Sequence, residues 1–112
     1  METRRVYLVW THPLFHESVR LLLDDPYVEL VGATSDYAAA HDQIMKLRPD
    51  TIIVEEMEGE LSTEALAFLK DSPLVGRIIG LNLADNQLRV YHREQRTVGR
   101  AEDLLLLIHG VQ

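Results

Sequence analysis

The sequence predicts an α/β protein whose sheet is mostly parallel, and three observations carry that prediction. Short apolar runs alternate with stretches of helical period along the first 82 residues, which is the pattern of parallel strands joined by crossover helices. The run at residues 51–54 is almost wholly apolar, as expected for a central strand covered on both faces. Only about five residues separate the last two runs, too few for a parallel crossover, so the final strand should be antiparallel.

The boundaries of the elements follow from capping and breaking residues. Pro13 follows a candidate N-cap, Thr11 or His12, and the breakers at residues 24–26 end the first helix. Residues 93–98 either prolong the last strand or form a further short hairpin. The predicted strands cover residues 6–10, 28–33, 51–54, 76–82 and 88–92, and the predicted helices cover residues 14–23, 37–47, 63–70 and 100–109.

Length and composition limit the classes of function that the chain can serve. Its 112 residues fit one core, so residues 1–112 are predicted to form a single domain. The net charge of −7 disfavours binding to nucleic acid or to an anionic membrane. The absence of cysteine excludes disulfides and thiolate catalysis. We expect a cytoplasmic protein, because no signal peptide or membrane span is evident in the sequence.

Three sequence motifs occur in an order that is more specific than any one of them. They are "VYLVWTHPLF" at residues 6–15, "VELVGATSD" at residues 28–36 and "LRPDTIIV" at residues 47–54. In this order and spacing they resemble bacterial two-component response-regulator receiver domains, and the likeness covers residues 5–82. It implies a flavodoxin-like three-layer sandwich with a mostly parallel five-stranded sheet in the order 2-1-3-4-5. The last strand is expected to be antiparallel, and the helix between strands 4 and 5 is expected to be missing.

The resemblance also implies where the family's site would lie. Receivers transfer a phosphoryl group onto an aspartate beside a divalent cation held by an acidic pair, and a hydroxyl and a lysine complete the site. Here the acidic pair falls on Trp10 and Thr11, which lack the anionic oxygens that magnesium prefers. The phosphoacceptor falls on Glu55, the hydroxyl falls near Asn82, and no lysine follows Lys70. The expectation is a degenerate pseudo-receiver with no catalytic residue, no enzyme activity, no metal and no cofactor.

Several interpretations of these residues stay open. Glu55 either mimics a phosphorylated acceptor or is a solvated carboxylate left at the end of a strand. Trp10 either fills the space of a lost metal site or offers a stacking platform. A working phospho-receiver would use Glu55 or Glu56, whereas a small-ligand or metal sensor would use Trp10, His12, Glu55 and Asn82. No Ser–His–Asp arrangement, phosphate-binding loop or dinucleotide motif is present in the sequence.

The late part of the chain is predicted to contact a protein partner, most simply a second copy in a homodimer. Five consecutive apolar residues at positions 104–108 cover the whole circumference of a helix, so one side should stay exposed. The strand at residues 88–92 is a predicted sheet edge, which could pair with another chain. The predicted interaction surface consists of Leu88, Val90, Tyr91, Arg93, Leu104, Leu105, Leu107 and Ile108.

Overall fold

The computed structural model describes residues 3–56, 77–91, 95–101 and 104–108. Within these residues the strands form one sheet with the order β2-β1-β3-β4-β5-β6. The strands are β1 (Arg4–Val9), β2 (Val28–Thr34), β3 (Thr51–Glu55), β4 (Arg77–Asn82), β5 (Gln87–Tyr91) and β6 (Gln95–Arg100). The helices are α1 (Pro13–Leu22), α2 (Tyr37–Leu47) and α3 (Leu104–Ile108). The helix predicted at residues 63–70 lies outside the described residues.

The predicted flavodoxin-like sheet order is confirmed, and so is the direction of its fifth strand. β1 pairs in parallel with β2 and β3, and β3 pairs in parallel with β4. β5 runs antiparallel to β4, and the two are joined by a four-residue turn rather than a helix. Asn86 in that turn has a φ of 57°, the left-handed conformation that asparagine tolerates better than most residues. This short turn is the reason that the two strands are antiparallel.

The sheet has one strand more than the sequence predicted. β6 pairs antiparallel with β5, from Gln87 opposite Arg100 to Tyr91 opposite Gln95, so the hairpin alternative for residues 93–98 is the correct one. The prediction that residues 88–92 form the edge of the sheet is therefore wrong, because β6 covers β5. Arg100, predicted to begin the last helix, instead ends β6, and α3 begins at Leu104.

Helices lie on both faces of the sheet, which gives the predicted three-layer sandwich. On one face, α1 and α3 pack on β1, β3, β4 and β5, and α1 contributes Phe15 and Val19 to that core. On the other face, α2 contributes Ala40 and Ile44 against side chains of β1, β3 and β4. Within the described part of the chain, no helix combines the length and the apolar character needed to span a membrane.

Tyr7 links the second core to the edge strand β2. Its buried ring packs on Gly32, where an added Cβ atom would lie only 2.8 Å from Tyr7 Cε2. Its hydroxyl donates a 2.6 Å hydrogen bond to Gln43 Oε1 on α2, and burial raises the pKa of the Tyr7 hydroxyl. The pairing register of β1 and β2 shifts next to Tyr7, as at a β-bulge. A glycine is therefore required beside this ring.

Three residues of the predicted interaction surface are buried in the core of the domain instead of being exposed. Leu88, Leu104 and Ile108 are buried in the core beneath α1. The described side chains of α3 pack on the cluster that the sheet and α1 form, so this face of the helix belongs to the core. Val90 and Leu105 are half-buried and pack on the same cluster. Leu88, Leu104 and Ile108 hold the domain together, so the prediction that these three residues form a docking surface is corrected.

Candidate functional site

The candidate site lies where the carboxyl ends of β1, β3 and β4 meet the start of α1. In open α/β sheets this edge is where ligands and chemistry are found, because loops and helix N-termini converge there. Glu55 is the last residue of β3, Asn82 the last of β4, and Trp10 follows β1 directly. The structure thus brings the predicted positions Trp10, Thr11, Glu55 and Asn82 to one edge of the sheet.

Glu55 is held by contacts from the loop between β1 and α1. Its Oε1 atom accepts hydrogen bonds from the backbone N–H groups of Thr11 and His12, at 2.8 and 2.9 Å. Its Oε2 atom lies 2.5 Å from His12 Nδ1. Only 10% of the Glu55 side chain is exposed. We call this set of contacts the Glu55 clip, since it ties the end of β3 to the start of α1.

The sequence explains why the N-terminus of α1 is stabilised by a negatively charged group from another part of the chain. His12 is the N-cap of α1 and its side chain makes no cap hydrogen bond, while Pro13 follows at the first helical position. The first turn of α1 contains no acidic residue. Free N–H groups and the helix dipole at this end favour a negative charge. Glu55 supplies that charge from a strand 43 residues further along the chain.

We expect removal of the Glu55 clip to lower the stability of the domain modestly. Glu55→Ala should reduce the free energy of unfolding by about 1–2 kcal/mol, because it removes the shared acceptor of two backbone N–H groups just before α1. Glu55→Gln should retain most of that stability, because the amide oxygen can still accept from the two backbone N–H groups. Urea unfolding followed by the fluorescence of Trp10, the one tryptophan of the sequence, measures both variants. Equal stability of Glu55→Ala and the wild type would contradict the prediction that the Glu55 clip stabilises the domain.

Trp10 and Thr11 occupy the positions of the family's acidic pair, and the two residues make different contacts there. Trp10 is half-buried, packs on the first core cluster and stacks on the ring of His16, with centroids 5.3 Å apart and planes 5° from parallel. This fits the interpretation in which Trp10 fills space. Thr11 is exposed, and its contribution to the site is the backbone N–H that Glu55 accepts.

A buried ion pair that was not predicted from the sequence lies at this edge. Arg89 Nη1 on β5 donates to Glu56 Oε1, the residue after β3. The Glu56 side chain is 0% exposed and the Arg89 side chain 15% exposed. Asp85 in the turn before β5 lies 3.7 Å from the same guanidinium. Arg89 is directly opposite Gly80 in the β4–β5 ladder, so no side chain stands beside it there. Because this arrangement depends on the strand register, the sequence alone carried no signal for the ion pair.

A cavity of about 620 Å³ opens between α1 and the turn after β4. Its polar lining includes Glu55, Glu56, Asn82 and His12. Its apolar lining comes from α1 and from the β4–β5 turn, and comprises Leu14, Phe15, Leu83 and Ala84. Asn82 is fixed by accepting a 2.9 Å hydrogen bond from the Ala84 N–H. A cavity of this size can hold a small organic molecule.

The metal alternative gains no support from the described residues. Among them, no three side chains of histidine, aspartate or glutamate are grouped so that they could hold a metal ion. His12 and Glu55, two residues of the predicted sensor site, contact each other. Arg93 of the predicted interaction surface lies outside the described residues, and the side chains of Tyr91 and Leu107 are not described.

Solved structures of known proteins that are similar to this chain share one fold. No model of a known protein family matches the sequence, and no curated protein matches it. Among solved structures, the chain is similar to the signal receiver domain of the response regulator NarL from Mycobacterium tuberculosis. The sequence identity is 30% and the TM-score 0.57, over 73% of this chain and 68% of that one.

Two further structures support the fold alone, since their identity is 23%. The isolated receiver domain of RcsB from Salmonella enterica serovar Typhimurium has a TM-score of 0.62, covering 73% of this chain and 63% of that one. RcsB in a complex with DNA has a TM-score of 0.63, covering 76% of this chain but only 45% of that one. The chain thus spans less than half of the RcsB chain in that complex. With its sheet order, its site at the strand ends and its likeness to NarL, the chain belongs to the family of response-regulator receiver domains.

Proposed function

We propose that this chain is a pseudo-receiver, which signals or scaffolds through protein–protein contact without being phosphorylated. The main observation in support of this proposal is the Glu55 clip. At the phosphoacceptor position stands a carboxylate whose two oxygens already take three donors from the β1–α1 loop. A carboxylate held in this way is a poor nucleophile, because three hydrogen-bond donors stabilise the negative charge on its oxygens.

The neighbouring positions support the same conclusion. Phosphoryl transfer depends on metal ions that neutralise charge developing on the phosphoryl oxygens. Trp10 and Thr11, at the acidic-pair positions, offer an indole ring and an exposed hydroxyl instead of carboxylates. Glu56 is committed to Arg89 in a buried pair, which leaves it badly placed to act as an alternative acceptor. We therefore favour the pseudo-receiver over a working receiver that uses Glu55 or Glu56, and we propose no enzyme activity.

We further propose that the contact is between two copies of the chain and that it uses β6. Among the described strands β2 and β6 lie at the two edges of the sheet, and β6 is the edge strand of the late part of the chain, where the sequence predicts the contact. An edge strand presents a row of backbone groups that a second chain can pair with. The cytoplasm remains the proposed location, and neither nucleic acid nor membrane is a proposed partner, since the net charge is −7.

The oligomeric state tests this proposal. Light scattering at high micromolar concentration should give twice the chain mass of 12.8 kDa. Val98→Lys places a charge in β6 at the point where its register with β5 shifts. This variant should be a folded monomer, because charges on an edge strand oppose its pairing with another chain. Leu21→Lys, on the exposed side of α1, should leave the dimer intact. A wild-type monomer would contradict the dimer, and a dimer broken only by Leu21→Lys would place the contact on α1.

A further inference from the structure

We propose that the cavity beside Glu55 binds a small amphipathic organic cation, in which an ammonium group is attached to an apolar body. The cavity is large enough for a molecule of that kind, at about 620 Å³. This inference does not depend on the proposed dimer, because the cavity lies between α1 and the β4–β5 turn rather than at β6.

The hydrogen-bonding groups at this edge decide the charge of the ligand. The backbone donors that would attract an anion, Thr11 N and His12 N, are already used by Glu55. A bound phosphate or carboxylate would have to displace a carboxylate that remains tethered next to it, and the two negative charges would repel. The edge therefore disfavours anions, although helix N-termini generally attract them.

Acceptors, in contrast, remain available on the cavity wall. A carboxylate has about four acceptor positions, and Glu55 uses three of them in the described contacts, so one remains on Oε2. Asn82 Oδ1 accepts one hydrogen bond from the Ala84 N–H and has a second acceptor position, and the Ser18 hydroxyl in the lining from α1 is a further acceptor. An ammonium group carries three donors and a positive charge, which match these acceptors and the charge of Glu55.

The remaining lining explains why the cation should carry an apolar body. Phe15 is buried in the wall, while Leu14 and Leu83 are exposed leucines that flank the cavity. Burying an apolar group between them removes exposed hydrophobic surface from water. A bare metal ion would gain nothing from this surface, and the described residues offer no group of three metal-ligating side chains.

Isothermal titration of the whole chain with three matched probes tests the proposal. The probes are 2-phenylethylammonium, the neutral 2-phenylethanol and the anionic 3-phenylpropanoate. We expect saturable binding of the ammonium compound, at least about tenfold tighter than binding of the other two, which corresponds to about 1.4 kcal/mol. No saturable binding of the ammonium compound at millimolar concentration would overturn the proposal, and so would equal or tighter binding of the anion.

Substitutions in and outside the cavity lining test whether the ammonium compound binds in this cavity. Ala84→Phe, in an exposed turn, and Ser18→Phe, on α1, should each fill the cavity and weaken the ammonium compound at least about tenfold. Glu55→Gln should weaken the ammonium compound but leave the neutral alcohol unchanged. Leu21→Phe, exposed on the same helix outside the cavity lining, should change neither. Circular dichroism confirms which variants are folded, and binding that survives in a folded cavity-filling variant would overturn the assigned site.

Discussion

Replacing Arg89 with methionine is expected to lower the free energy of unfolding by about 3–5 kcal/mol, which is a large part of the stability of a small domain. The variant leaves the Glu56 carboxylate buried without the guanidinium that faces it. Removing this counter-ion carries most of the penalty, because the guanidinium no longer offsets the desolvation of the buried carboxylate. Denaturant unfolding of the purified chain measures the loss.

Two comparisons separate this effect from a simple loss of side-chain packing. The double variant Glu56→Leu with Arg89→Met removes both charges and should recover most of the stability, or exceed it, as apolar replacements of buried pairs often do. Arg20→Met breaks an exposed pair with Glu17, whose side chains are more than half exposed, and should change stability by only about 0.2–1 kcal/mol. An Arg89→Met variant no less stable than Arg20→Met would show that Glu56 is not a buried carboxylate.

Leu104→Ala is expected to lower the free energy of unfolding by about 2–5 kcal/mol. Leu104 is buried against the core that α1 and the sheet share, so truncating it removes apolar contacts and leaves a cavity. This result would distinguish a core helix from the exposed interaction helix that the sequence suggested. Thermal or urea unfolding of the chain gives the value directly.

The matched control is another leucine that is exposed. Leu14 on α1 is 77% exposed, so Leu14→Ala should change stability by less than about 0.5 kcal/mol. Leu104→Ala should also leave a folded dimer, if one forms, with its stoichiometry unchanged. A Leu104→Ala variant as stable as Leu14→Ala, but monomeric, would return Leu104 to the predicted interaction surface.

The fold was largely predictable, because it depends on patterns that lie close together in the sequence. The alternation of strands and helices predicted a mostly parallel sheet, and the short connection before Gln87 gave the direction of β5, whereas the sheet order followed from the family resemblance. β6 was left open, because Gln95–Arg100 carries two arginines and a glycine and shows no clear alternation of apolar residues. The burial of Leu104 and Ile108 was not predictable, since no local pattern tells which side chains of a short, wholly apolar helix will face the core.

The site was predictable in position but not in its contacts. Parallel strand ends meet at one edge, so the grouping of Glu55, Asn82 and the β1–α1 loop follows from the sheet order. The clip does not follow from it, because backbone N–H groups of Thr11 and His12 leave no mark in a sequence. The Glu56–Arg89 pair joins residues 33 positions apart, and its existence depends on the antiparallel register that sets Arg89 opposite Gly80.

The central claim is that the acceptor position of this receiver domain does not take a phosphoryl group. The most direct test is to incubate the chain with acetyl phosphate and magnesium and to measure its intact mass, with a phosphorylatable receiver domain in the same mixture as a positive control. The Glu55 clip and the loss of the acidic pair predict that the control gains one phosphoryl group and this chain gains none. A magnesium-dependent phosphoryl adduct on Glu55 or Glu56 would contradict the claim.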